Sequence, residues 1–355
     1  MFIGIRDLRF AKGRFTLMSV VLFLIALMVV MLSGLTAGLG NQSIAAVRGI
    51  GADRFAFGVP AQGQDLSFSE SRVDGAQRDA LAARAGVEEA ALIGIAPVRL
   101  TVDGRDVGAS AFGVDGASFA APVPLAAGEV AVDTELAEDN GWAVGQRVDA
   151  GGRTVTVAAL VDDSFYNHQP VVWFDRADWL ALPTAAGSDG TVVALRTSPG
   201  FDATAAGAAT GTAITDVDDA VNAIGGYSSE RGSLLLMQGM LLVVSALVVG
   251  AFFTVWTIQR GPDLAVLKAV GASTGYLLRD ALGQGLVLLV LGTGLGTLAA
   301  VGLGTIAAQA VPFTLTVGGV LLPFVALIAL GMLGAAAAVT RIASIDPRTA
   351  LAAAR

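Results

Sequence analysis

Tyr227, Glu230, Arg231, Leu234, Met237 and Gln238 share one helical face if the chain is helical from Tyr227, because they recur at spacings of three and four. A phenol, a carboxylate and a thioether can each approach an iron atom, and a guanidinium pairs with a ligand carboxylate. Asn41 and Gln42 fall at the same depth of another apolar segment, with Arg48 as a second cation. The same residue types also have a plainer use. Tyr, Glu and Arg at a membrane boundary are interfacial anchors, and Met on an apolar helix is a packing residue. An ionisable Glu230 this close to an apolar run is costly to keep there, which makes it a candidate for function.

The elements that would position these residues follow from where charge is missing. Apolar residues make up 54% of the 355, charged ones 15%, and there are 45 glycines, values far from those of an ordinary soluble domain. A helix needs about 20 apolar residues to cross a bilayer. Residues 15–47 are free of charge and, as a helix, would be roughly 50 Å long, enough to leave the bilayer and continue as a stalk. A second run covers 232–259. A third, 281–340, is too long for one span and right for two, with a turn at Pro312 and the pair Gly318 and Gly319. Arg6, Arg9, Lys12 and Arg14 precede the first run as they would in a signal peptide, but the run is longer than such peptides use and no small-residue cleavage site follows, so a retained anchor is expected.

The expected layout is a cytoplasmic segment 1–14, a first span 15–39, an outer domain 40–231, a second span 232–259, a cytoplasmic segment 260–281, a third span 282–309, an outer loop 310–319, a fourth span 320–340 and a cytoplasmic tail 341–355. The three short flanks carry ten basic and four acidic residues, whereas 40–231 carries twelve arginines and 26 acidic residues. Basic flanks stay inside, so both termini are expected in the cytoplasm and the acidic block outside. The Ala-, Gly- and Val-rich, lysine-poor composition fits a bacterial chain, hence the bacterial plasma membrane as its place.

The outer block reads as a mixed α+β module. LIGIAPVRLTVDG, GEVAVDTEL, RTVTVAALV and QPVVWFD are strand-like, and ESRVDGAQRDALAARAG has helical spacing with a Gly stop. The acid-dense DVDDAVN lacks the spacing of a calcium loop. With no cysteine and one histidine, neither a thiolate site nor a multi-histidine centre is available to one chain, and His168 reads as an ordinary loop histidine. Gly292, Gly296, Ala300 and Gly304, like Gly34 and Gly38, recur every four residues, which lets helices approach closely inside the chain or between copies of it.

Between the second and third runs lies a polar strip, IQRGPDLAVLKAVGAS. Arg260 and Pro262 end one helix, Asp263 suits the start of a short next one, Leu264, Leu267 and Val270 form a small apolar stripe beside Lys268, and Gly271 breaks the turn. The segment RGPDLAVLKAVGAS resembles the coupling loop of the FtsX/MacB-like ABC transporter permeases, and RIASIDPRTALAAAR resembles that family's closing motif around Asp346 and Pro347. Two departures are Asp263, where the family usually has Glu, and Pro262.

That resemblance implies a MacB-like, type VII exporter fold: four transmembrane helices with a large extracytoplasmic α+β domain between the first and second. It implies that Arg260, Asp263, Leu264, Leu267, Lys268 and Gly271 dock on a separate ATP-hydrolysing subunit, two copies serving a homodimer, and that this chain is not itself an enzyme. Neither Lys12 nor Lys268 has the neighbours of a Walker A lysine, so ATP would be bound by the partner. Family members move haem, lipophilic drugs or peptides, release lipoproteins, or relay force to cell-wall hydrolases. The likeness is greatest to the haem exporters, with haem as transported substrate rather than resident cofactor. For haem, Tyr227, Glu230, Arg231, Met237, Asn41 and Gln42 are the expected contacts. The alternative is a mechanical relay acting on an external hydrolase, with nothing crossing the membrane.

Overall fold

The structure, a computed structural model, describes residues 12–102, 104–185, 187–259, 266–268 and 270–339. It divides into two units, Leu39–Arg231 and the combination of Met1–Gly38 with Gly232–Arg355. In chain order the elements are α1 (Lys12–Gly49), β1 (Arg54–Gly58), α2 (Gly75–Ala82), β2 (Val87–Val102), β3 (Arg105–Val114), β4 (Glu129–Asp133), α3 (Thr134–Asn140), β5 (Arg147–Ala150), β6 (Arg153–Val161), β7 (Phe165–Tyr166), β8 (Gln169–Asp175), α4 (Arg176–Leu180), β9 (Val192–Thr197), α5 (Ala203–Thr210), β10 (Thr212–Asp216), α6 (Val217–Ala220), α7 (Tyr227–Gln259), α8 (Thr274–Ala307) and α9 (Val317–Val339).

In the unit Leu39–Arg231 the strands form one sheet in the order β10-β1-β9-β2-β3-β8-β4-β6-β5, with β7 added to β8. The long β2 pairs with β3 and β9 and, at its far end, with β5 through Leu100↔Ala150 and Thr101↔Asp149, so the strands from β2 to β5 close on themselves. Val98, Leu100, Ala111, Val132, Val157 and Phe174 fill that closed part. The Trp179 ring from α4 joins them, lying where a Cβ on Gly94 or Gly113 would stand, which explains glycines inside two strands.

A second core contains Phe55, Phe57, Phe68, Ile93, Phe112 and Trp173, with Ile44 and Val47 from the last turns of α1, Ile50 just after it, Ile224 just before α7 and Tyr227 at its start. Its rings meet edge-on, Phe57 and Phe68 at 4.8 Å between centroids, an arrangement that adds about 1 kcal/mol beyond burial. Five of the unit's aspartates serve helix starts. Asp74, Asp133, Asp175, Asp202 and Asp216 each accept a backbone N–H at the first turn of α2 to α6, Asp74 in a reciprocal pair with Gln77.

Four helices among the described residues are long and apolar enough to cross a membrane: Thr16–Gly49, Tyr227–Gln259, Thr274–Ala307 and Val317–Ala338. Glycines set their contacts inside the second unit. A Cβ at Gly292 would meet Leu22, and one at Gly296 would overlap the Phe23 carbonyl, so α8 lies backbone-close on α1. Gly334 of α9 faces Ala246 and Gly250 of α7 in the same way, and Phe253 fills the notch at Gly285. Phe313, in the loop between α8 and α9, occupies the space over Gly34 and Gly304, while the Thr314 N–H donates to the Gly34 carbonyl at 3.1 Å. The four-residue repeat of small residues therefore serves packing within the chain.

Candidate functional site

Three segments of the Leu39–Arg231 unit meet at the candidate site: the last turns of α1, the first turn of α7 and the tip of the β7–β8 hairpin. The hairpin pairs Phe165 with Pro170 and Tyr166 with Gln169, leaving Asn167 and His168 as a two-residue loop. Both have positive φ, 49° and 60°, the requirement of a type I′ turn. Asn is usual there. The second position normally takes Gly, and a side chain in the left-handed region costs roughly 1–2 kcal/mol.

The strained tip is tied to α1. The Asn167 N–H donates to the Ser43 carbonyl and the His168 N–H to the Gln42 carbonyl, each at 3.1 Å. His168 Nε2 then lies 3.1 Å from Ser43 Oγ and 2.8 Å from Glu230 Oε2. A carboxylate only accepts, so Nε2 carries the hydrogen and shares it between Glu230 and the Ser43 oxygen, whose own hydroxyl donates to the Leu39 carbonyl at 3.3 Å. Ser, His and an acid are together here, but this is not a nucleophile relay. Such a relay needs one partner on each ring nitrogen, and here both crowd Nε2.

The base of the hairpin is fixed from behind. Asp133 accepts the Ser164 N–H at 2.9 Å as well as the Leu136 N–H, and Ser164 Oγ accepts the Trp173 indole N–H at 2.7 Å. Burial pushes the Asp133 carboxyl above its ordinary value, although the two backbone bonds pull it down. Burial likewise raises the Tyr166 phenol, which packs on Phe68 and Phe112.

The predicted contact residues separate. Glu230 is in the first turn of α7, a favourable place for a carboxylate, and its side chain is 34% exposed. Asn41 and Gln42 are half-buried on α1, and Arg231 is exposed. Tyr227 shares the face of Glu230 but is only 7% exposed and belongs to the aromatic core, so its ring serves packing. Met237, 48% exposed, belongs to the other unit. Arg48 is engaged by Asp218 at 2.8 Å, which gives one acid of DVDDAVN a structural partner. His168 is the functional candidate that sequence reasoning misses, with Ser43 beside it. The signal available was the two-residue gap between FY and QPVVWFD, a hairpin spacing opened by Asn.

In the polar strip, Leu267 packs against a core of Met18, Phe253, Trp256 and Leu277, while Val266 and Val270 are exposed. Gly271 takes φ +104°, as a helix-terminating glycine does, and its N–H donates to the Lys268 carbonyl. Arg260, Asp263, Leu264, Asp346 and Pro347 lie outside the described residues.

The family model for the FtsX-like permease C-terminal region matches residues 235–347, which include the polar strip. The chain carries an FtsX-like permease domain. Over 354 residues this chain is 23% identical to a protein named putative hemin transport system permease protein HrtB of Staphylococcus haemolyticus, with 98% of this chain and 97% of that one covered. An uncharacterized ABC transporter permease of Mycobacterium tuberculosis is 26% identical over 381 residues, with 99% of each chain covered. Among solved structures, the periplasmic region of MacB from Actinobacillus actinomycetemcomitans aligns with half of this chain and 95% of its own, at 15% identity and a TM-score of 0.36. The chain has the expected order of elements, four helices long and apolar enough to cross a membrane with an α+β unit between the first and second.

Proposed function

We propose that this permease is the membrane subunit of an ABC exporter that extrudes haem, powered by a separate ATPase. The observation that carries the reading is near-full-length similarity to a protein named for hemin transport, in a chain with a carboxylate, Glu230, at the outer end of its second membrane helix. Haem is a flat apolar ring with two propionates and an iron. A permease taking it from a leaflet needs an apolar slot, an iron-approaching donor and a cation at the rim. Glu230 supplies the donor and the exposed Arg231 the cation, with Asn41 and Gln42 as polar neighbours on α1.

In the working unit two copies of the permease stand with two ATPase subunits, termini and polar strip in the cytoplasm. ATP-driven closure of the ATPases draws the two strips together, and α1 and α7 carry the movement outward to expel the cargo. Lys268→Ala or Leu267→Ala is expected to cut haem export at least tenfold, while haem binding stays at the wild-type level. Haem titration into detergent-purified protein tests the cargo: a saturable Soret shift, altered in Glu230→Ala, is expected. No saturable binding would favour the mechanical relay.

A further inference from the structure

Among the described residues, Glu230 has one side-chain partner, and that partner is the only histidine in the chain. The histidine stands where Gly would be easier, in a turn whose backbone N–H groups are committed to α1 carbonyls. A Gly at 168 would keep the turn and both backbone bonds and lose the imidazole alone. Strain retained at such a position points to a use for the side chain that does cost stability. The imidazole is restrained on three sides: by the turn, by the buried Ser43 hydroxyl and by the Glu230 carboxylate. Behind it, the Asp133–Ser164–Trp173 bonds fix the hairpin base.

We propose that His168 is the positioning residue of the cargo-binding carboxylate. Its Nε2–H holds Glu230 in one orientation against α1, with Ser43 fixing the ring, in the manner of the carboxylate–histidine pairs that orient metal ligands from outside the coordination sphere. Here the order is reversed: the carboxylate meets the iron and the imidazole orients it. The inference rests on Glu230 being the iron-approaching group of the proposed haem site.

Because the chain has one histidine, protein labelled with ¹⁵N-histidine and free of any histidine tag gives a single imidazole signal. In full-length ligand-free permease this signal should report a hydrogen-bonded Nε2–H and move in both Glu230→Gln and Ser43→Ala. His168→Gly should weaken haem binding about tenfold and shift the Soret band, as removal of an outer partner does at metal sites. It should leave binding of metal-free protoporphyrin, which offers no iron to a carboxylate, unchanged. His168→Gln, which restores an N–H donor, should recover most of the loss. An imidazole signal indifferent to Glu230→Gln overturns the proposal, as does a His168→Gly protein with wild-type haem affinity and spectrum while Glu230→Ala changes both. A wild-type protein that binds no haem overturns the haem reading and this inference with it, so the two failures are told apart.

Discussion

The two units of this protein use the same small alphabet in opposite ways. In the Leu39–Arg231 unit, cohesion comes from alternation on strands, from aromatic rings meeting edge-on and from aspartates closing helix starts. In the membrane unit, water exclusion gives no drive between helices, and contact depends on removing side chains, so Gly292, Gly296 and Gly334 bring backbones together. Polar groups specify the first unit and missing atoms specify the second. A conservative change is therefore harmless or severe according to which unit it falls in.

The largest expected effect is in the membrane unit. Gly296→Leu must displace the Phe23 backbone, and overpacking of this kind costs about 3 kcal/mol. On the same helix, a Cβ at Gly302 meets nothing within 4 Å, so Gly302→Ala should stabilise by up to about 1 kcal/mol. Thermal melts of the two variants in detergent check the pair, and equal losses would break the contrast.

Next comes the polar network of the outer unit. Asp133→Ala removes a helix cap and leaves the buried Ser164 N–H unpaired, for a loss of about 2 kcal/mol. The pH dependence has a definite sign. The folded carboxyl titrates above its unfolded value of 3.8, so the contribution of its proton equilibrium is fully present below that value and is lost as pH rises through the folded one. The gap in melting temperature between wild type and Asp133→Ala should widen as pH is lowered from 7 to 4. The smallest effect is expected for Asp218→Ala, which removes an exposed partner of Arg48 and should cost no more than about 0.5 kcal/mol.

The four membrane helices were legible because charge is absent over long runs, a signal that needs no knowledge of contacts. The strands carrying LIGIAPVRLTVDG and QPVVWFD were legible from β-branched runs bounded by turn residues, as was the helix closed by Asp74. β3, with RDVGASAFGV, was not: its Gly113 is there for Trp179, a contact 66 positions away in sequence. The candidate site divides in the same way. Helical spacing placed Glu230 and Tyr227 on one face, yet it carried no information that one faces His168 and the other the aromatic core. Arg48 looked free because Asp218 is far off along the chain. His168 has no periodic pattern around it, and its meaning depends on a hairpin tip reaching α1, which only the fold supplies.

Export itself is the direct test of the account. Proteoliposomes holding the protein with the proposed ATPase partner and loaded with haem should lose membrane haem when ATP is added on the ATPase side, and Glu230→Ala should abolish that loss while ATP hydrolysis persists. Sustained ATP hydrolysis by the wild-type complex with membrane haem unchanged would contradict it.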